Sequence, residues 1–243
     1  MASTSEVGHA KNVANFQDLI EFLSGYGGQY NPTKASLQIP QLIAQKANAD
    51  NALAEVINKN TNFNNKVNER MIAFSNIKSL STRLINSLQA SDATTETVKD
   101  ARTFIRKIYG RKAASPQTPI NPDAPAPNTI STSQQSYDQL IQHLAGLKAV
   151  LETEPSYAPN ESDLTVASLA SKIADLNTKN TAVANAYAGV SNSRIARNQT
   201  LYGETTGLVN TAFAVKKYVK SVFGATSPQY AQVSGLKFKV VKM

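Results

Sequence analysis

Seven cations recur in the same pattern near the ends of two segments. Lys99, Arg102, Arg106 and Lys107 lie in VKDARTFIRKIYG, which ends at Gly110, and Lys216, Lys217 and Lys220 lie in AFAVKKYVKSVFG, which ends at Gly224. Positions 102 and 106 are one helical turn apart, as are 216 and 220, so each pair shares a face of a helix. Cations gathered on one face bind anions: nucleic acid, an acidic protein or an anionic membrane surface. The structural alternative is that cations in a last helical turn complement the macrodipole, worth about 0.3–1 kcal/mol each. Interleaved aromatics would favour nucleic acid through stacking, and Phe104 and Tyr218 are the equivalent candidates.

Other chemistries find less to work with. The chain has no cysteine and two histidines, His9 and His143. Disulfides, thiol nucleophiles and cysteine zinc sites are excluded. A di-iron bundle would need Glu-x-x-His pairs on two helices. His143, beside Leu144, reads as a partly exposed helix residue, and His9 falls in an irregular N-terminal stretch. No Gly-x-Ser-x-Gly elbow and no phosphate loop are present. The glycine cluster SGYGGQY reads as a helix stop, with Tyr26 and Tyr30 packing onto the end of a bundle. The sequence therefore predicts no enzyme, no cofactor and no metal.

The 243 residues carry a net charge of +8, are 41% hydrophobic and only 17% charged. The opening MASTSEVGHAKNVANF lacks a basic region followed by an apolar one, and no stretch reaches the roughly 18 apolar residues of a membrane helix. The expectation is a soluble, cytoplasmic protein.

The elements that position the cations are helical. A linker at 113–132 holds five of the ten prolines and divides the chain. The halves, 1–112 and 133–224, are related. Leu53-Ala54-Glu55-Val56 matches Ile173-Ala174-Asp175-Leu176, and Lys59-Asn60-Thr61 matches Lys179-Asn180-Thr181. Phe16 to Ile20 echoes Tyr137 to Ile141, and Tyr30-Asn31-Pro32 echoes Tyr157-Ala158-Pro159. Blocks recurring in one order predict an internal duplication. Each half reads as three helical segments: a first at 11–25 and 133–152, a long second, and a third at 94–109 and 205–223.

The second segment alternates apolar residues by three and four from Leu53 to Leu88, and again from Leu169 to Leu201, which is a heptad seam. Pro40 suits a first helical turn. The run INKNTNFNN is the weakest point, because Asn is a poor helix former. Asn60 and Asn180 occupy equivalent seam positions, and a buried Asn pair would fix register. Arg70, Arg194 and Arg197 fall on the same seam, which should open to solvent there. Gly110 and Gly224 suit left-handed C-caps. In the basic tail, 225–243, LKFKVV adds a strand or stays loose. The fold expected is all-α: an elongated helical bundle, pseudo-twofold between halves, with coiled-coil-like long helices and both repeats packed as one domain.

The stretches YVKSVFGATSPQY and QVSGLKF, with YAPNESDL and RIARNQTLYG, resemble a family of uncharacterised helical proteins from Bacteroidota. The resemblance covers mainly residues 155–238. It implies a bacterial, helical protein and no assigned activity.

Three functions follow. The leading expectation is a non-enzymatic helical scaffold that binds a protein partner or itself. The alternative is nucleic-acid or polyanion binding through the paired basic segments. A membrane-active protein is least favoured, because the best apolar stripes are needed for the core.

Overall fold

A computed structural model describes residues 4–110 and 135–241. Arg111, Lys112 and the proline-rich stretch 113–132 lie outside them. The described residues form helices α1 (Thr4–Gly25), α2 (Ile39–Phe74), α3 (Ile77–Gln89), α4 (Thr95–Tyr109), α5 (Tyr137–Thr153), α6 (Val166–Tyr202), α7 (Leu208–Phe223) and α8 (Pro228–Gly235). No strand occurs among them, so the all-α expectation holds.

Pro40 sits in the first turn of α2, where its missing N–H costs nothing. The helix then runs unbroken through INKNTNFNN, so weak propensity there is overridden. The break comes later, at Ser75 and Asn76, without glycine or proline. The Ser75 N–H and hydroxyl both donate to the Ile72 carbonyl, at 3.2 and 2.7 Å. That local bond competes with the helical ladder, and α3 restarts at Ile77. The long helix of the second half, α6, has no such break over its 37 residues.

Start and stop signals explain the shorter helices. Thr94, Ser136 and Ser227 cap α4, α5 and α8, accepting from the N–H groups of Thr97, Gln139 and Tyr230. Each such cap contributes about 1 kcal/mol. The stops of α4 and α7 are Gly110 and Gly224, with φ of 77° and 89°. Their ψ values of 136° and 161° lie beyond the left-handed helical region expected from sequence. Only glycine enters that area without strain.

The chain forms two compact units, Met1–Phe63 with Ala186–Met243, and Asn64–Asn185. Both cut across the sequence halves. In the first, α1 packs against α7 and α8. Its core joins Phe16, Leu19 and Leu23 to Leu208, Val215 and Val219. In the second, α4 packs against α3 and α5, and Leu84, Leu88 and Ile108 meet Leu144, Leu147 and Leu151. Gly146 makes room for Phe104: a Cβ there would lie 2.2 Å from its Cε1, so a side chain would force the ring or the helices to shift.

Each unit also contains the same latch. The Tyr30 hydroxyl donates to the Leu37 carbonyl at 2.7 Å, and the Tyr157 hydroxyl to the Leu164 carbonyl at 2.8 Å. Each bond closes a loop that carries a short 3-10 turn, Ala35–Leu37 or Ser162–Leu164. Both tyrosines are buried. Burial raises both hydroxyls above their ordinary pKa, with Tyr218 adding to the shift at Tyr30.

Both histidines depart from expectation, His9 by lying in a helix and His143 by its burial. His9 is 1% exposed, because α1 begins at Thr4 and turns this residue inward, its Nδ1 2.6 Å from the Tyr202 hydroxyl. His143 is 6% exposed, since it lies four residues before Leu147 on the core face of α5.

Candidate functional site

The cations of α4 and α7 sit in different surroundings. On α4, Lys99, Arg102, Arg106 and Lys107 are all exposed. Lys99 lies 3.9 Å from Glu96, Arg106 donates to the Thr103 hydroxyl at 3.1 Å, and Lys107 sits 5.7 Å from the Phe104 ring centroid. These are contacts along a single helix. Phe104 itself is half-buried against Gly146, so its ring is packed rather than presented.

On α7, Lys216, Lys217 and Lys220 line one cleft of about 540 Å³ with Asn210, Phe213, Ala214 and Tyr230. No carboxylate is among its lining residues. The cleft exists because the chain turns back after Gly224, and α8 lies against α7. Lys220 Nζ is 5.5 Å from the centroid of Tyr230 on α8. Phe213 is 42% exposed. The aromatics available beside the lysines are thus Phe213 and Tyr230. Tyr218, the residue singled out by repeat symmetry, packs edge-on against Tyr30 at 5.3 Å.

Lys216 differs from its neighbours. It is half-buried, donates to the Leu236 carbonyl and lies 5.1 Å from the centroid of the Phe238 ring. Burial lowers its pKa, and the nearby charge of Lys237 lowers it further.

The LKFKVV run is neither strand nor loose. Beyond α8, residues 236–241 are irregular, and side chains of α1 and α7 hold their backbone. The Asn12 amide donates to the Lys239 carbonyl at 2.7 Å and accepts from the Lys239 N–H at 3.0 Å. The Asn15 amide donates to the Lys237 carbonyl at 2.6 Å. Phe238, 7% exposed, meets Phe16 and Phe213 edge-on. Sequence reading missed Asn12 and Asn15, because asparagines on an amphipathic helix look like its wet face.

The polar seam is built from Asn–Arg bonds. Asn60 and Asn180 are half-buried rather than buried. Asn180 Oδ1 accepts from Arg70 at 2.9 Å, and its Nδ2 donates to Asp138 at 2.7 Å. The Arg70 guanidinium stacks 4.1 Å over the Tyr137 ring. Asn60 Oδ1 accepts from Arg194 at 3.4 Å. An arginine thereby supplies the donor that a second amide was expected to supply. The seam does not open at Arg197, which is 2% exposed and bonds the Asn198 side chain at 2.9 Å.

Among the described residues, no cluster of three or more His, Asp or Glu could hold a metal ion. None of their helices is long and apolar enough to cross a membrane. No family model, curated protein or solved structure matches the chain.

Proposed function

We propose that this chain is a helical interaction protein whose α7–α8 cleft receives a polyanionic partner. The observation that carries this reading is the convergence of Lys216, Lys217 and Lys220 on one cleft with Phe213 and Tyr230 and without a lining carboxylate. Ammonium groups against low-dielectric aromatic walls attract phosphates more strongly than the same groups in open water. On α4, Arg106 and Lys107 lie in the last turn and complement the helix terminus, while Lys99 and Arg102 serve solubility on its exposed face.

The binding unit sits in a duplicated architecture. Reciprocal pairing supports the duplication: α1 of the first half packs on α7 of the second, and α5 of the second on α4 of the first. The Tyr30 and Tyr157 latches have the same seven-residue span. The seam bonds are reciprocal too, with Arg70 on Asn180 and Arg194 on Asn60. These bonds also support a heptad register between the long helices.

Titration of the full chain with a labelled single-stranded oligothymidylate, at several salt concentrations, tests the reading. Three lysine contacts predict a log–log salt slope of about −2, at about 0.7 per phosphate for single strands. A flat salt response, or no binding at low salt, overturns it.

A further inference from the structure

The C-terminal segment places more positive charge beside positive charge. Lys237 and Lys239 flank Phe238, and Lys216 bonds the carbonyl of Leu236. Among the described residues, no carboxylate forms an ion pair with Lys216, Lys217, Lys220, Lys237 or Lys239. Lys216 is thus a half-buried ammonium whose ligands are a carbonyl and an aromatic face. Withdrawing an ammonium from water without a counter-ion is unfavourable, and one added anion removes much of that penalty.

We infer that an anion in the α7–α8 cleft locks residues 236–241 onto α1 and α7, with Lys216 as the link between cleft and segment. Lys216 belongs to both sites: it lines the cleft and it holds the Leu236 carbonyl. An ammonium has three N–H donors. One is given to Leu236, and the others remain for an anion oxygen. Binding therefore neutralises the group that fastens the segment, without competing for its bond. By linkage, a segment fastened better when the anion is bound must in turn tighten the anion. Empty, Lys216 holds Leu236 only at the cost of an uncompensated charge, and the segment opens more often. The inference rests on the polyanion reading of the cleft and adds its consequence for the segment.

The test follows amide exchange at Lys239, whose N–H donates to Asn12, by NMR on the full chain with and without sodium tripolyphosphate. Chemical shifts of Lys217 and Lys220 report binding in the same samples. The expected result is exchange slowed about ten-fold at saturation, a typical coupling between two sites. Lys216→Gln keeps an N–H donor, one bond shorter, but no charge; it should weaken binding and abolish the slowing even at tripolyphosphate concentrations raised until shifts at Lys217 and Lys220 saturate. Binding with unchanged or faster exchange at Lys239 overturns the lock and leaves the cleft standing. Slowing that persists in Lys216→Gln overturns the role of its charge. Absence of any binding overturns both readings.

Discussion

The ends of α4 and α7 are written in nearly the same residues, yet the chain uses them differently. Both stop at a glycine with positive φ, and both carry cations one turn apart. On α4 those cations stand in solvent, and the side-chain bonds of Lys99 and Arg106 go to neighbours on the same helix. On α7 the chain doubles back as α8 and an extended segment, giving Lys216 partners it does not share with the α4 residues. Similar charge therefore does not give similar surroundings. What lies over the charge differs, and on α7 that is decided by residues 225–241.

Removing the covering should erase the difference. Phe238→Ala deletes the ring seated between Phe16 and Phe213. For a buried Phe the expected cost is about 3 kcal/mol, read as lost exchange protection at 236–241 with α4 unaffected. Protection that survives would mean that Phe238 is not the anchor.

Disturbing the packing of α4 should have a somewhat smaller effect, and in the other unit. Gly146→Ala places a methyl against Phe104, and overpacking of this kind costs about 1–3 kcal/mol. Urea denaturation measures it. Unchanged stability would show that α4 and α5 adjust freely.

The latches should respond alike, which sharpens the contrast with the helix ends. Tyr30→Phe and Tyr157→Phe each remove one buried hydrogen bond, for about 1 kcal/mol apiece. Their pH dependence follows from the raised hydroxyl pKa values. Below the unfolded tyrosine value of about 10 both states hold the proton, and stability does not change on this account. Above it the unfolded chain ionises first, so stability falls as pH rises. With no tryptophan in the chain, tyrosinate absorbance follows the titration cleanly. Tyr30 and Tyr157 ionising with the exposed tyrosines would contradict the burial.

Most of the helical segments, though not α8 within the expected tail, could be read from the sequence, as could the terminating glycines and the Tyr26 and Tyr30 packing. Each depends on a local rule: apolar spacing, a residue that tolerates positive φ, or an aromatic beside a helix stop. The break at Ser75 could not, because no glycine or proline marks it and a serine bond to Ile72 decides it. The composition of the two units was hidden for a different reason. Internal similarity pairs segments by resemblance, whereas packing pairs α1 with α7 and α4 with α5. At the proposed cleft, Lys216, Lys217 and Lys220 were expected together with the four α4 cations, and the structure brings only these three to one cleft. The half-burial of Lys216 was not legible, since it depends on where Leu236 and Phe238 return. Repeat symmetry also directed attention to Phe104 and Tyr218, which the core uses, and away from Phe213 and Tyr230.

The most direct measurement compares two charge reversals in one oligothymidylate titration. Lys217→Glu with Lys220→Glu should weaken binding at least about ten-fold and flatten the salt dependence, since two phosphate contacts are lost. Arg102→Glu with Arg106→Glu, the same change of net charge on α4, should weaken it by less than about two-fold, as screened charges outside the site do. Equal losses from the two variants would contradict the account, because net charge rather than the α7–α8 cleft would then govern binding.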